Sequence, residues 1–151
     1  MKNIIIATDG SPTAQEALAV GIELAAEQDA AVTFVHVLPP DDYVVAGRLG
    51  SLPKAHRVEI DESEVALRDA AAAAEAAGVS YTLERISGDT VDEIVAVADS
   101  GDADMIVIGS RGRGPLTSAL LGSVSKGVLG ESRRPVLIVR GVLQREPAAT
   151  A

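Results

Sequence analysis

Apolar positions along the chain fall into two alternating patterns. Asn3-Ile4-Ile5-Ile6-Ala7, Ala30 to Val37, Ala103 to Ile108 and Pro135 to Val139 are short continuous apolar runs rich in β-branched residues. Runs of this length predict strands buried on both faces, as in a parallel sheet. Val79-Ser80-Tyr81-Thr82-Leu83-Glu84 instead alternates apolar with polar, which predicts a half-exposed edge strand. Between these runs the period lengthens to that of a helix. Ala14, Leu18, Ile22 and Ala25 mark a helix over about 12–28, with Ser11 as its cap and Pro12 in its first turn. An Ala-rich helix follows over about 56–77 and stops at Gly78, a C′ residue. Two more are predicted near 90–99, capped by Asp89 or Thr90, and near 123–132, after Gly122. Pro39 to Pro53 reads as a long surface loop, and 142–151 as a flexible C-terminal tail after a single domain over 1–141.

Strands alternating with helices of this length build βαβ units, and right-handed crossovers place helices on both faces of the sheet. The predicted fold class is α/β, a three-layer sandwich around a parallel, Rossmann-like sheet. Such sheets bind ligands beyond the carboxyl ends of their strands, where the strand order reverses. The residues following each apolar run are therefore where chemistry is expected.

Composition removes several alternatives. With 151 residues and 47% hydrophobic content the chain can bury a sizeable core. It has no cysteine, which excludes a disulfide scaffold, a thiolate metal site and a cysteine nucleophile. The same absence, with no signal-like N-terminal segment, makes the cytoplasm the expected compartment. No apolar run approaches the roughly 20 residues of a membrane span. A net charge of -9 and 2% aromatics argue against nucleic acid as a partner. Acidic side chains crowd Glu59 to Glu64 and Asp99 to Asp104, a solvated surface or the mark of a salt-adapted source.

Two strand ends carry the candidate chemistry. One is Ala7-Thr8-Asp9-Gly10-Ser11. The other is Ile108-Gly109-Ser110-Arg111-Gly112-Arg113-Gly114, with Leu121-Gly122-Ser123-Val124-Ser125 opening the next helix. Glycine-rich turns let backbone N–H groups approach an anion, and a helix amino end adds unpaired donors and a positive dipole. The same residues would also serve as a plain turn and a helix cap, and a short glycine pattern gains weight only from its strand-to-helix setting. Other residues offer less. His36 lies between apolar neighbours on a strand and reads as structural, His56 as solvated, and Asp41-Asp42 as a turn. Neither a Gly-Lys-Ser/Thr phosphate loop nor a Gly-x-Ser-x-Gly nucleophile elbow is present.

The spacing Gly109-x-x-Gly112, nine residues, Gly122-Ser123 resembles the nucleotide-binding signature of the ATP-binding branch of the universal stress protein family. Ile4 to Ser11, Val35-His36-Val37 and Arg133 to Val139 resemble that family's first, second and last strands, and the likeness runs over about 2–140. The resemblance implies five parallel strands in the order 3-2-1-4-5 and an ATP-dependent stress-response or signalling module, with Mg2+ accompanying the phosphates. A slow ATPase, or a cyclic-nucleotide (AMP-type) binder on the same fold, are the alternatives. It also implies roles. Ala7, Thr8 and Asp9 would line base and ribose, Val37 would offer its backbone to the adenine, and Ile108 and Gly109 would pack against the nucleoside. Gly112, Gly122, Ser123, Val124 and Ser125 would hold the phosphates. No residue is expected to bind metal directly, with Asp9 reaching it through water. In that strand order strands 3 and 5 are the sheet edges. Strand 5, Val136-Leu137-Ile138-Val139, has no interior charge, so a homodimer through strand 5 is expected.

Overall fold

The computed structural model describes residues 1–38, 54–111 and 121–141, the side chains of 54–61 excepted. The loop predicted over Pro39 to Pro53 and the tail predicted over 142–151 lie outside the described residues. Five strands, β1 (Asn3–Ala7), β2 (Ala31–Leu38), β3 (Tyr81–Ser87), β4 (Met105–Gly109) and β5 (Val136–Val139), form one sheet in the order β3-β2-β1-β4-β5. Every pairing is parallel. Among the described residues four helices connect them: α1 (Pro12–Gln28), α2 (Lys54–Ala76), α3 (Thr90–Ser100) and α4 (Ser123–Glu131).

The runs that form β1, β2 and β4 largely have the burial they predict, because both faces of the sheet are covered there. The run expected to be buried at β5 is only half-buried, with Pro135 exposed, because β5 is a sheet edge. Ile4, Ile6, Val32, Phe34 and Val107 face α1 and α2, where they meet Ala17, Ile22, Leu67 and Ala70. Ile5, Ala7, Val35, Ile106 and Ile108 face α3 and α4, where they meet Ile94, Ala98 and Val128. Small helix residues let the layers approach closely. A Cβ on Gly21 of α1 would run into Cδ1 and Cγ1 of the wholly buried Ile6. Gly21→Ala would gain about 1 kcal/mol of helix propensity, against an overpacking cost of typically 1–3 kcal/mol. The packing term wins. Urea denaturation should find the variant less stable by about 1 kcal/mol, and a gain in stability would contradict the close contact.

Helix ends follow the sequence signals. Ser11 caps α1, its Oγ accepting from Ala14 N at 3.2 Å, and Pro12 occupies the first turn. Asp89, not Thr90, caps α3 through Asp92 N. At the end of α2, Gly78 has φ 70°, its N–H donates to Glu75 O, and the N–H of Val79 donates to Ala74 O. That is the Schellman pattern. It explains one shift from expectation. The edge strand predicted from Val79 begins at Tyr81 and runs on to Ser87, because Val79 is engaged in ending the helix. β4 likewise starts at Met105 and not at Ala103, whose N–H is taken by Ala98 O.

The acidic stretch over 99–104 is only partly a solvated face. Arg134 donates to Asp99 at 3.3 Å and to Asp102 at 2.9 Å. Asp104 accepts the backbone N–H groups of Lys2 and Asn3, which holds its carboxyl below the usual range. Acidic residues there tie the start of β1 to that of β4. No helix among the described residues is long and apolar enough to cross a membrane.

Candidate functional site at the strand switch point

β1 lies between β2 and β4, so the chain's crossovers run in opposite directions on either side of it. The crevice between the carboxyl ends of β1 and β4 is the switch point of this sheet. Polar burial gathers at the same end. The buried polar side chains among the described residues are Thr8, Ser11, His36, Ser63, Ser110 and Ser125. Thr8 and Ser11 follow β1, His36 lies near the end of β2, Ser110 follows β4, and Ser125 is in the first turn of α4. The middles of β1, β4 and β5 are hydrocarbon.

The turn from β1 into α1 is fixed by its own side chains. Thr8 N donates to Val35 O at 2.9 Å, continuing the ladder one residue past β1. Asp9 Oδ1 accepts Ser11 N at 2.9 Å, and Gly10, at φ 77°, takes the left-handed step that glycine allows. Asp9 thus does local work in the turn while remaining half-buried at the mouth of the crevice.

On the other side, Gly122 N donates to Ser110 O at 2.8 Å, so the chain that leaves β4 at Ser110 returns to it at Gly122. Gly122 is the N-cap of α4, with φ -62° and ψ 161°, and no side chain caps the helix. Any residue can adopt that backbone, and Ser, Thr, Asp or Asn would ordinarily be favoured there. A glycine leaves the first N–H groups of α4 without side-chain partners. No acidic residue stands in its first turn either. Ser123 is exposed, Lys126 is exposed one turn on, and Ser125 is 2% exposed with its Oγ donating to Gly109 O at 2.7 Å.

The structure therefore brings most of the sequence-derived residues together. Ala7 and Ile108 are core members on the α3 and α4 face, with Val37 and Val124 packed against the same cluster. Thr8 and Asp9 stand across the crevice from Gly109 and the start of α4. Gly112, with Arg113, lies outside the described residues; Arg111 is half-buried. Sequence reasoning missed Thr13. A Cβ on Gly109 would sit 3.0 Å from Thr13 Cγ2 and 3.1 Å from its backbone carbonyl. The lack of a side chain at Gly109 thus lets the first turn of α1 rest on β4. No sequence pattern signals this, because the contact joins residues about a hundred positions apart. Among the described residues no group of three or more His, Cys, Asp or Glu could hold a metal ion.

Comparisons with known proteins agree with this architecture. The universal stress protein family profile matches residues 1–140. A universal stress protein of Methanocaldococcus jannaschii is 35% identical over 139 residues, which is 92% of this chain and 82% of that protein. Among solved structures, a universal stress protein of Archaeoglobus fulgidus in complex with dAMP superposes with a TM-score of 0.69 at 26% identity, over 92% of this chain and 98% of that one. Another, in complex with cAMP, does so with a TM-score of 0.67 at 28% identity, over 93% and 97% of the two chains.

Proposed function

This chain belongs to the universal stress protein family, and on that premise we propose that it is an ATP-binding module of stress response or signalling, working in the cytoplasm as a homodimer. The observation that carries the reading is the amino end of α4. It is capped by a glycine with no side chain, carries no acidic residue in its first turn, and stands at the switch point of the sheet. Such a helix end offers N–H donors and a positive dipole to an anion. Ala7, Val37, Ile108 and Val124 supply an apolar lining beside it, suited to a base. Thr8 and Asp9 are the polar groups across the crevice, where ribose hydroxyls would meet them. Gly112, Gly122, Ser123 and Val124 would hold the phosphates, and Mg2+ would accompany them, reached by Asp9 only through water.

Two family members solved with dAMP and with cAMP support a second reading, a nucleotide with a single phosphate. The glycine spacing from Gly109 to Ser123 favours a longer phosphate chain, since one phosphate would leave part of that cradle unused. Parallel titrations with ATP, AMP and cAMP decide between them. ATP is expected to bind most tightly. Tighter binding of AMP or cAMP would move the protein to the second reading.

Turnover is expected to be slow, well below the roughly 10 per second median of enzymes. Phosphoryl transfer needs a group that orients the nucleophile and cations that stabilise the leaving charge. The first turn of α4 offers hydroxyls and Lys126 but no carboxylate or imidazole. A phosphate-release assay with ATP in excess checks this. Sustained turnover at ordinary enzyme rates, lost on substitution of a site residue, would make the protein an ATPase.

A further inference from the structure

The two ladders flanking β4 leave one carbonyl without a strand to receive it. The N–H groups of Ile106 and Ser110 donate to Pro135 O and Val139 O of β5. Backbone groups of alternate residues turn to opposite neighbours, so the carbonyl of Gly109 turns toward β1. β1 has already ended at Ala7, and its ladder with β4 runs only from Ile4↔Met105 to Ile6↔Val107. The crevice that makes room for a ligand thus also strands an acceptor. Ser125 supplies the missing donor from α4, with Oγ 2.7 Å from Gly109 O and only 2% of the residue exposed. A buried carbonyl left unmade is costly, which favours a hydroxyl at this place.

We propose that Ser125 is a positioning residue whose hydroxyl is spent on Gly109, setting the height and direction of the amino end of α4 so that the N–H groups of Ser123 and Val124 face the phosphates. This inference rests on the nucleotide-binding reading of the site. Three contacts make Gly109 and Ser110 a rigid seat. Gly122 N donates to Ser110 O, Ser125 Oγ donates to Gly109 O, and the backbone of Thr13 packs against the Cα of Gly109 from the opposite face. The helix start is held by consecutive carbonyls at the end of β4, and the seat is backed by α1. Ser125 therefore acts through backbone it orients, whereas a phosphate-binding serine would have its proton to give.

The test compares Ser125→Ala, Ser125→Cys and Ser125→Thr by calorimetric titration with ATP and with adenosine. It adds amide NMR of each variant stripped of nucleotide. Ser125→Ala should weaken ATP about tenfold, leave adenosine unchanged, and shift the amide resonances of Ser123 and Val124 before any nucleotide is added. Ser125→Cys keeps the volume with a weaker donor and should show the same changes in smaller measure. Ser125→Thr restores the donor and should recover ATP affinity. Unmoved amides in Ser125→Ala would overturn the proposal. With ATP affinity lost they would make the hydroxyl a direct phosphate ligand, and with it kept they would leave the hydroxyl idle. Equal weakening of ATP and adenosine would also overturn it. A wild-type protein that takes up no phosphate-bearing nucleotide would instead remove the underlying reading, and the amide comparison would still report on Ser125.

Discussion

Gly122→Val is expected to lose ATP affinity by a hundredfold or more, about 2.7 kcal/mol. The backbone at this N-cap, φ -62° and ψ 161°, is open to any residue, so conformation does not demand glycine there. What glycine supplies is an uncapped helix end. A branched side chain would stand before the first N–H groups of α4, where the phosphates are proposed to lie. Gly122→Asp sharpens the test. A carboxylate is a better N-cap than glycine by a few tenths of a kcal/mol and favours the helix dipole. It would also place a negative charge and an internal acceptor where the ligand's anion should go. Thermal melting should find Gly122→Asp still cooperatively folded, while titration finds no ATP binding. Undiminished affinity in either variant would mean that the amino end of α4 is not the phosphate site.

The second large effect is on assembly. All four residues of β5 are apolar and half-buried although the strand is a sheet edge. Val136 and Ile138 pack toward α3 and α4, Leu137 and Val139 toward α1. Because Pro135 O and Val139 O accept from β4, the backbone groups of Val136 and Ile138 turn outward. An apolar edge with outward donors and acceptors invites pairing, and pairing with its own copy about a two-fold axis is the economical form. Ile138→Lys should give monomer or aggregate by light scattering. Since that change also alters packing, Ile138→Pro provides a second reading. It removes an N–H that β4 does not use, so the ladder within the chain survives while pairing between copies does not. A wild-type protein that scatters as a monomer at micromolar concentration, or an Ile138→Pro dimer, would contradict the β5 interface.

Much of this was legible in the sequence, for physical reasons that can be named. Ile4-Ile5-Ile6 and Val107-Ile108 announce buried parallel strands because both faces of the sheet are covered, so no residue of the run meets water. Ser11-Pro12 and Asp89 announce helix starts because capping is a local interaction. Gly122-Ser123 points to the site because a helix amino end is readable from adjacent residues. Contacts between distant parts of the chain were not legible. Val79 looks like a strand residue until the Schellman turn at Gly78 takes its N–H. The packing of Thr13 against Gly109 is likewise invisible in the sequence. The hydrogen bond from Ser125 Oγ to Gly109 O, at the end of the β1–β4 ladder, has no signature in the sequence. The acidic stretch over 99–104 looks like bare surface until Arg134 and the start of β1 are brought beside it.

The most direct test of the central claim is calorimetric titration of the purified protein, stripped of small molecules, with ATP and Mg2+. A saturating heat corresponding to one ATP per chain, absent in Gly122→Asp, is the predicted result. No detectable heat up to millimolar ATP, in a protein that melts cooperatively, would contradict it.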